Sequence, residues 1–559
     1  MLSGLDQVDW KSLSHAYGSA EDVPAQMCKL TSPDKAVWET AIYDFYGNIW
    51  HQGTVYEATA YAVPFLLELL AASSIACKTD ILYLLKSLAN GSSYLDVHQT
   101  LDWHRNERKT EEFQAQVREE LKYVAAARRA VLEGVPLYLA CLTEPDPAMR
   151  GAAAYVLGSC CERIAEIFPA LRARISVETD SQTVSGVLIA MCHLHNGAAA
   201  QTEGTTVENA EGLRENYAQL ADNPAKSPVI RMTAALCAIA LADTEQEAQR
   251  LLPAIRETLA ASSEDFTQMA WTEGESPVSL ASRTLERFPG LRKSLLLAAI
   301  QDPDSTVRRN AIWDVTEFCQ QRRSAPEAFA PQLAKLLADP DADVRKWAAQ
   351  ELPRLGQARL SAIAELEQLT RHADRAVRNL AKQTLKEVRK PRQGYQIETW
   401  LKRPKRKRRV ADLIAILQGT APNQAKIGEY ERAAAAAELE FLGTAAAEAV
   451  PALRKGLQED SQWMRVHAAR ALWAIAGEVD ETLPILKEEL LGRPAGLLAL
   501  DCLGQMGRHA ESALPQIREI IDADLRFVNS GIANDIIDDD ESFQEAARVV
   551  LAKIEAELG

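Results

Sequence analysis

The feature that most constrains the fold is a seven-residue turn that occurs twice. Its two copies begin at Asp302 and Asp339, 37 residues apart, and both read Asp-Pro-Asp-x-x-Val-Arg. Each copy follows an apolar run and opens another run with helical spacing. Self-similarity at a period of about 20 to 50 residues is typical of stacked-repeat proteins, in which each unit packs only against its neighbours. The sequence therefore predicts a repeat array rather than one compact core.

The residues of this turn have separate roles at the junction of two helices. Proline has no N–H to donate and cannot continue the preceding helix, so it ends that helix. The second aspartate, Asp304 or Asp341, is placed to cap the next helix by accepting a backbone N–H bond. Arg308 and Arg345 are expected to pair with an aspartate of the adjacent turn, which would fix the angle between successive repeats.

Partial copies of the turn extend the pattern along the chain. They keep an apolar residue followed by arginine, but another residue replaces the first aspartate: Met149-Arg150 with Glu144, Ile230-Arg231 with Ala225, Val377-Arg378 with His372, and Met464-Arg465 with Glu459. Repetition favours a structural role over a chemical one. We assign a structural role to Asp302, Asp304, Arg308, Asp339, Asp341, Arg345, Arg378 and Arg465.

These turns resemble those of the HEAT-repeat family, including its short bacterial variants of the phycobilisome-lyase type. The resemblance implies an all-α solenoid of stacked antiparallel helix pairs, superhelical, with a concave face that binds a partner. The stretch from Tyr46 to Thr54 also resembles a segment of uncharacterised bacterial HEAT-repeat proteins, which implies a bacterial origin and no activity. An aromatic content of only 6%, with abundant Ala and Leu, suits closely packed helices.

Composition also indicates a compartment and a class of partner. The nine cysteines are scattered and form no CxxC pair, which is typical of buried thiols in a reducing compartment. The N-terminus has no signal-peptide pattern, and no apolar run approaches the length of a membrane span. We therefore expect a cytoplasmic protein. Its net charge of −16 disfavours free nucleic acid as a partner and suits a basic protein.

One basic segment interrupts the helical pattern. Residues 386–409 contain eleven Lys or Arg and two Glu, a net charge of +9, together with Pro391, Gly394 and Pro404. Because proline and glycine interrupt helices, we predict an N-terminal array with a helical cap over residues 1–390, a basic linker or hinge over 391–409, and a C-terminal array with its own cap over 410–559.

The basic residues are also candidates for binding. Arg406, Lys407, Arg408 and Arg409 could contact phosphate, serve as a nuclear import signal in a eukaryote, or fold against the acidic helices. We favour a linker whose charge is neutralised by neighbouring carboxylates.

A polar and aromatic group near the N-terminus is the other candidate binding site. Asn48, Trp50, His51, Gln52 and Tyr56 lie in a loop bounded by glycines, and side chains of these types can line a binding surface. Packing between the N-terminal cap and the first repeat would explain Trp50 and Tyr56 equally well.

Three further stretches are interpreted as structural. Apolar residues from Leu5 to Tyr17 have helical spacing, which predicts a capping helix. Trp313 and Trp347 follow the motif arginines and are expected to pack between helices. The acidic cluster at Asp535 and residues 538–541 is interpreted as a capping turn before the last helix, with binding of a cation or a basic partner as the alternative.

No sequence motif for catalysis or cofactor binding is present, so we predict no catalytic residue, no metal and no cofactor. The leading hypothesis is a non-enzymatic protein-binding scaffold or inhibitor that uses an acidic helical surface. A specific form is an immunity-type protein that neutralises a basic toxin. The resemblance leaves two alternatives open: a nucleic-acid-binding or DNA-glycosylase-like HEAT protein, and a bilin lyase-like enzyme. The sequence does not indicate an oligomeric state.

Overall fold

The computed structural model describes residues 1–99, 104, 106–201, 210–261, 266, 268–392, 408–421, 428–491, 495–527 and 536–559. These residues are predominantly helical, which confirms the all-α prediction. They belong to two compact units, one of residues 1–100 and 107–311, the other of residues 101–106 and 312–559. Of the basic segment at 391–409, only residues 391, 392, 408 and 409 are described, and they lie within the second unit. The role of this segment as a hinge stays a prediction.

The first unit consists mainly of short helices, and helices that are close in sequence pack against one another. Its helices are α1 (Val23–Lys29), α2 (Lys35–Gly47), α3 (Glu57–Ala71), α4 (Lys78–Ala89), α5 (Tyr94–His98), α6 (Glu111–Glu133), α7 (Val135–Cys141), α8 (Pro147–Leu157), α9 (Ile164–Val177), α10 (Ser181–Gln201), α11 (Ala210–Ala221), α12 (Pro228–Ala240), α13 (Glu245–Gln249), α14 (Leu252–Thr258), α15 (Pro277–Thr284) and α16 (Pro289–Ala299). Short 3-10 helices cover Leu5–Gln7, Glu107–Lys109, Cys161–Arg163 and Ala270–Thr272.

Helix α17 (Ser305–Gln321) continues from the first unit into the second. The remaining helices are α18 (Pro326–Leu336), α19 (Ala342–Glu351), α20 (Ile363–Leu369), α21 (Arg375–Val388), α22 (Val410–Leu417), α23 (Glu429–Leu442), α24 (Val450–Gly456), α25 (Gln462–Ala476), α26 (Val479–Glu488), α27 (Gly496–Met506), α28 (Leu514–Asp522) and α29 (Ile536–Leu558). Four 3-10 helices, Leu352–Arg354, Gly356–Ala362, Gly443–Ala449 and Gly507–Ala513, lie between them.

A 3-10 turn and a short antiparallel hairpin replace the capping helix predicted for residues 5–17, and a second hairpin follows α2. Strands β1 (Ser14–His15) and β2 (Gly18–Ser19) form the first hairpin, and β3 (Trp50–His51) and β4 (Thr54–Val55) form the second. Leu5 begins a 3-10 turn that ends at Gln7, and the side chain of Trp10 folds back on it, with Trp10 Nε1 donating to the carbonyl oxygen of Leu5 at 2.7 Å. The prediction of a capping helix was therefore wrong.

The repeated turns contain the helix caps that the sequence predicts. The Asp304 carboxylate accepts the backbone N–H groups of Thr306 and Val307 at 2.7 and 3.2 Å. Asp341 caps α19 in the same way, accepting from the two residues that follow Ala342 at 2.9 and 3.0 Å. The first aspartate of each copy accepts the N–H of the second at 2.9 Å, so the carboxylates themselves shape the turn.

The motif arginine makes its recurring contact with the main chain. In five copies its Nη1 donates to the carbonyl oxygens six and five residues before it, at 2.5 to 2.9 Å; these are Arg150, Arg308, Arg345, Arg378 and Arg465. A carbonyl oxygen is present whatever the side chain. The first position of the turn can therefore be Asp, Glu or His without loss of this contact.

Three motif arginines also pair with a glutamate 24 to 28 residues further along the chain. Arg150 pairs with Glu178, Arg231 with Glu257, and Arg465 with Glu489, at 2.7 to 2.8 Å. In these copies the carboxylate is a glutamate of the following helix pair, rather than the aspartate of the adjacent turn that we expected. Arginine–carboxylate pairs have a defined geometry, so they orient successive repeats.

Of the acidic cluster near the C-terminus, Asp535 lies outside the described residues, and the remainder is largely internal. Asp538, Asp539 and Asp540 are buried within the first turns of α29, not in a turn before it. Asp540 accepts two bonds from Arg323 and one from Arg526, each at 2.8 Å. A buried carboxylate needs such partners to offset the loss of water. The cluster therefore joins segments of the second unit instead of presenting charge to solvent.

Candidate functional site

A cavity of about 650 Å³ lies at the N-terminal end of the first unit, between the two hairpins and helices α1 and α2. Four of the five residues predicted for the polar and aromatic group line it: Asn48, Trp50, His51 and Gln52. Tyr56 does not line it, because it lies at the N-cap of α3, where its N–H donates to Thr59 Oγ1 at 2.9 Å.

The wall of the cavity is a chain of hydrogen-bonded polar side chains. Gln26 Nε2 donates to Asp22 Oδ2 at 2.8 Å, and Asn48 Nδ2 donates to Gln26 Oε1 at 2.6 Å. His15 Nδ1 accepts the N–H of Tyr17 at 3.0 Å, so its Nε2 carries the proton and donates to Asp22 Oδ1 at 2.9 Å. Because His15, Gln26 and Asn48 are buried, these bonds hold the wall in one arrangement.

The second hairpin places aromatic rings at the edge of the cavity. Its two-residue turn has positive φ at Gln52 (49°) and Gly53 (92°), the arrangement that matches the twist of paired strands. Trp50 meets Tyr46 edge-on at a ring-centroid distance of 5.5 Å, and His51 lies at the same distance from Tyr17. The turn therefore accounts for the positive φ of Gln52, which is uncommon for a residue other than glycine.

The electrostatic character of the cavity is acidic and aromatic. Asp22 and Asp44 contribute carboxylates, and no Lys or Arg belongs to the part of the lining that the structure describes. Tyr17 and Tyr43 are 73% and 78% exposed, so their ring faces are accessible. Burial raises the pKa of Tyr46, which keeps its phenol neutral. Ring faces and carboxylates together attract cations.

The predicted basic site is only partly within the described residues. Arg406 and Lys407 lie outside them. Arg408 pairs with Glu438, and Arg409 donates to both oxygens of Asp412 at 2.9 and 3.0 Å. These two arginines have carboxylate partners, as the interpretation of a neutralised linker expects. Binding of phosphate at this segment stays a prediction.

A comparison with known sequences finds a repeat family in one part of the chain. A family model of HEAT repeats matches residues 293–386, which include both full copies of the turn. This segment is therefore similar to HEAT repeats. No curated protein sequence matches it.

Solved structures with a similar arrangement of helices include karyopherins. Kap95p, in a structure on its binding to RanGDP, is 13% identical with a TM-score of 0.40, over 96% of this chain and 67% of that one. Importin beta is 14% identical with a TM-score of 0.39, over 96% and 68%. Kap121p bound to the SUMO protease Ulp1p is 13% identical with a TM-score of 0.36; the match covers 96% of this chain and 54% of Kap121p.

Two tryptophans of the HEAT helices are exposed, contrary to the prediction that they pack between helices. Trp313 is 67% exposed and Trp347 is 38% exposed. In α17 the buried face contains Val307, Ala311 and Val315, at spacings of four residues, and Trp313 projects from another face. Lys346 Nζ lies 6.0 Å from the ring centroid of Trp347. The apolar character of tryptophan was a misleading signal here.

No group of three or more His, Cys, Asp or Glu side chains within the described residues could hold a metal ion. Of the helices whose residues are described, none is long and apolar enough to cross a bilayer.

Proposed function

We propose that the chain is a non-enzymatic, cytoplasmic protein-binding scaffold or inhibitor that engages a basic partner through its N-terminal cavity. The observation that carries this proposal is the cavity lining, which combines accessible Tyr rings with the carboxylates of Asp22 and Asp44 and no described Lys or Arg. A Lys or Arg side chain of a partner fits this chemistry. All nine cysteines are free thiols and eight are buried, which supports the reducing compartment.

The physical basis of the interaction is a local contact strengthened by the charge of the whole chain. A cation over an aromatic ring gains about 0.5 to 2 kcal/mol, depending on how much water it loses. The net charge of −16 adds attraction at longer range, which increases the association rate and weakens as salt is added. We therefore expect affinity to depend on both the rings and the ionic strength.

The test is recovery of the partner with matched surface variants. The purified chain captures partners from its source cells, mass spectrometry identifies them, and each is purified and titrated. Tyr17→Ala and Tyr43→Ala should weaken binding about tenfold or more if each ring contact contributes as much as a partly desolvated cation–π pair. Tyr430→Ala is the control, since this tyrosine is 72% exposed in the second unit. Equal losses for all three variants would reject the cavity as the site.

An immunity-type inhibitor that occludes a basic toxin is a finer form of the proposal, and the acidic net charge supports it. If the partner is a toxin, a stoichiometric amount of this chain should suppress its activity, and suppression should decrease as salt rises towards 1 M. Binding that is unchanged in molar salt would exclude the electrostatic form. Retention of DNA at low salt would instead favour the nucleic-acid alternative.

A further inference from the structure

A second cavity lies elsewhere in the first unit. Its volume is about 320 Å³, within the usual range for sites that hold small ligands. Helices α4, α8 and α10 form one side of it, and residues 268–271 cover the other side. Thr272 holds the covering segment in place. Its Oγ1 has two alternative acceptors, the carbonyl oxygens of Phe266 at 2.8 Å and Met269 at 2.7 Å.

The lining of this second cavity is aromatic and acidic. Tyr83, Tyr155 and Trp271 contribute rings, and Asp146 and Asp180 contribute carboxylates. Tyr83 and Tyr155 meet edge-on with ring centroids 6.2 Å apart. Burial raises the pKa of Tyr83 to about 12, so its hydroxyl stays neutral. No Lys or Arg belongs to the described lining.

Two cations beside the cavity are paired with other carboxylates. Lys86 lies 4.6 Å from the ring centroid of Tyr155 and pairs with Glu273 at 3.8 Å. Arg150 forms its two-bond pair with Glu178. Among the described residues, neither Asp146 nor Asp180 forms an ion pair.

The two carboxylates also cap helices, through one oxygen each. Asp146 Oδ1 accepts the N–H of Ala148 at 3.0 Å, and Asp180 Oδ1 accepts the N–H of Thr183 at 2.7 Å. The helix N-termini offset part of each charge. Each carboxylate nevertheless has a second oxygen with which to meet a cation.

We infer that this second cavity binds a small organic cation, an alkylammonium or guanidinium group. The cation contacts the tyrosine rings and the free oxygens of Asp146 and Asp180. The ligand is either a free amino compound or a Lys or Arg residue of a peptide. This inference does not depend on the proposed function, because the two cavities share no lining residue.

A glycine in the lining allows the cavity to be filled without displacing neighbouring atoms. A Cβ at Gly151 would meet no described atom within 4 Å, so Gly151→Leu should project into the cavity. Gly212 in α11 is the matched control, because it is also helical, with open space at its Cβ. Both substitutions replace a helical glycine by a better helix former, so neither should lower stability.

The experiment is calorimetric titration of the full chain with L-arginine and with N-acetyl-arginine amide, and with the uncharged citrulline counterparts as controls. We expect saturable binding of at least one arginine probe, a loss of at least tenfold in Gly151→Leu, and no change in Gly212→Leu. Asp180→Asn keeps a capping oxygen but removes the charge, and should weaken binding about tenfold.

The two arginine probes distinguish the sources of the ligand. Tighter binding of L-arginine indicates a free amino compound, and tighter binding of the capped amide indicates a peptide residue. Absence of saturable binding by both probes would overturn the inference. Equal affinity for the citrulline probes, or unchanged binding in Gly151→Leu, would overturn it as well.

Discussion

Glu178 couples stability to pH at the scale of a single residue. Hydrogen bonds from Arg150 lower its pKa from the usual 4.5 to about 2, although burial acts in the opposite direction. Because the folded pKa is depressed, its contribution is fully present above about pH 4.5 and is lost as the pH falls towards 2. Chemical unfolding at pH 6 and pH 3 should show a smaller difference in Glu178→Gln than in the unsubstituted chain.

A control for this measurement is Glu39→Gln. Glu39 pairs with Lys35 on the surface, and its side chain is 53% exposed, so its removal should leave the pH dependence nearly unchanged. If both variants lose the same part of the acid sensitivity, the Arg150–Glu178 pair is not its source.

Substitutions of Asp341 can separate the contribution of helix capping to stability from the contribution of the negative charge. The Asp341 carboxylate accepts two N–H groups at the start of α19. Asp341→Ala should therefore lower the free energy of unfolding by about 1 kcal/mol, whereas Asp341→Asn, which retains an oxygen acceptor, should cost much less. Urea denaturation of both variants measures the difference. Equal destabilisation by Ala and Asn would mean that charge, not capping, is the dominant contribution.

Features of the fold and of the candidate site could be predicted from sequence where the interacting residues are close together in the chain. The caps lie within three residues of the groups they bind, so Asp304 and Asp341 were identifiable in the sequence. Asn48 to Gln52 are contiguous, so four members of the N-terminal site were identifiable too. Tyr17 and His51 are 34 residues apart in sequence and meet only through the two hairpins, and no local pattern indicates such a contact.

The second cavity could not be predicted from sequence, because its lining residues are far apart in the chain. Tyr83, Asp180 and Trp271 come from distant parts of the chain. Each would be interpreted in sequence as an ordinary helix or loop residue. Their common environment depends on how α4 and α10 stack and on the path of residues 268–271. That packing is tertiary information, and a repeat motif does not specify it.

At the scale of elements, the contact of α25 with the segment after α26 depends on a buried ion pair. The side chains of Arg465 and Glu489 are 0% and 1% exposed. Removing one member leaves a buried charge, which typically costs about 3 to 5 kcal/mol. Arg465→Leu should therefore lower the midpoint of urea unfolding substantially. The double variant Arg465→Leu with Glu489→Leu should recover part of the loss, and no recovery would show that the Arg465 contacts to main-chain carbonyls dominate.

At the scale of the whole molecule, we expect the destabilisation caused by Arg465→Leu to be confined to the helices near Arg465, because the chain is built of repeats. Stability in a repeat array is approximately a sum of terms for each repeat and its nearest neighbours. Hydrogen exchange of Arg465→Leu should show faster exchange in α25 and α26, with unchanged protection in α3 and α4 of the first unit. Equal loss of protection in both units would indicate a single cooperative fold.

The arginine contact with main-chain carbonyls also has an evolutionary consequence. The arginine donor and its carbonyl acceptors lie within one segment of seven residues. A duplicated repeat would therefore include the whole contact, and deletion of a repeat would remove the whole contact. No compensating substitution is then needed at a distant position for this contact. The number of repeats can change while the side chains around each contact diverge. A family of such chains can therefore lose sequence similarity faster than it loses the arrangement of its helices.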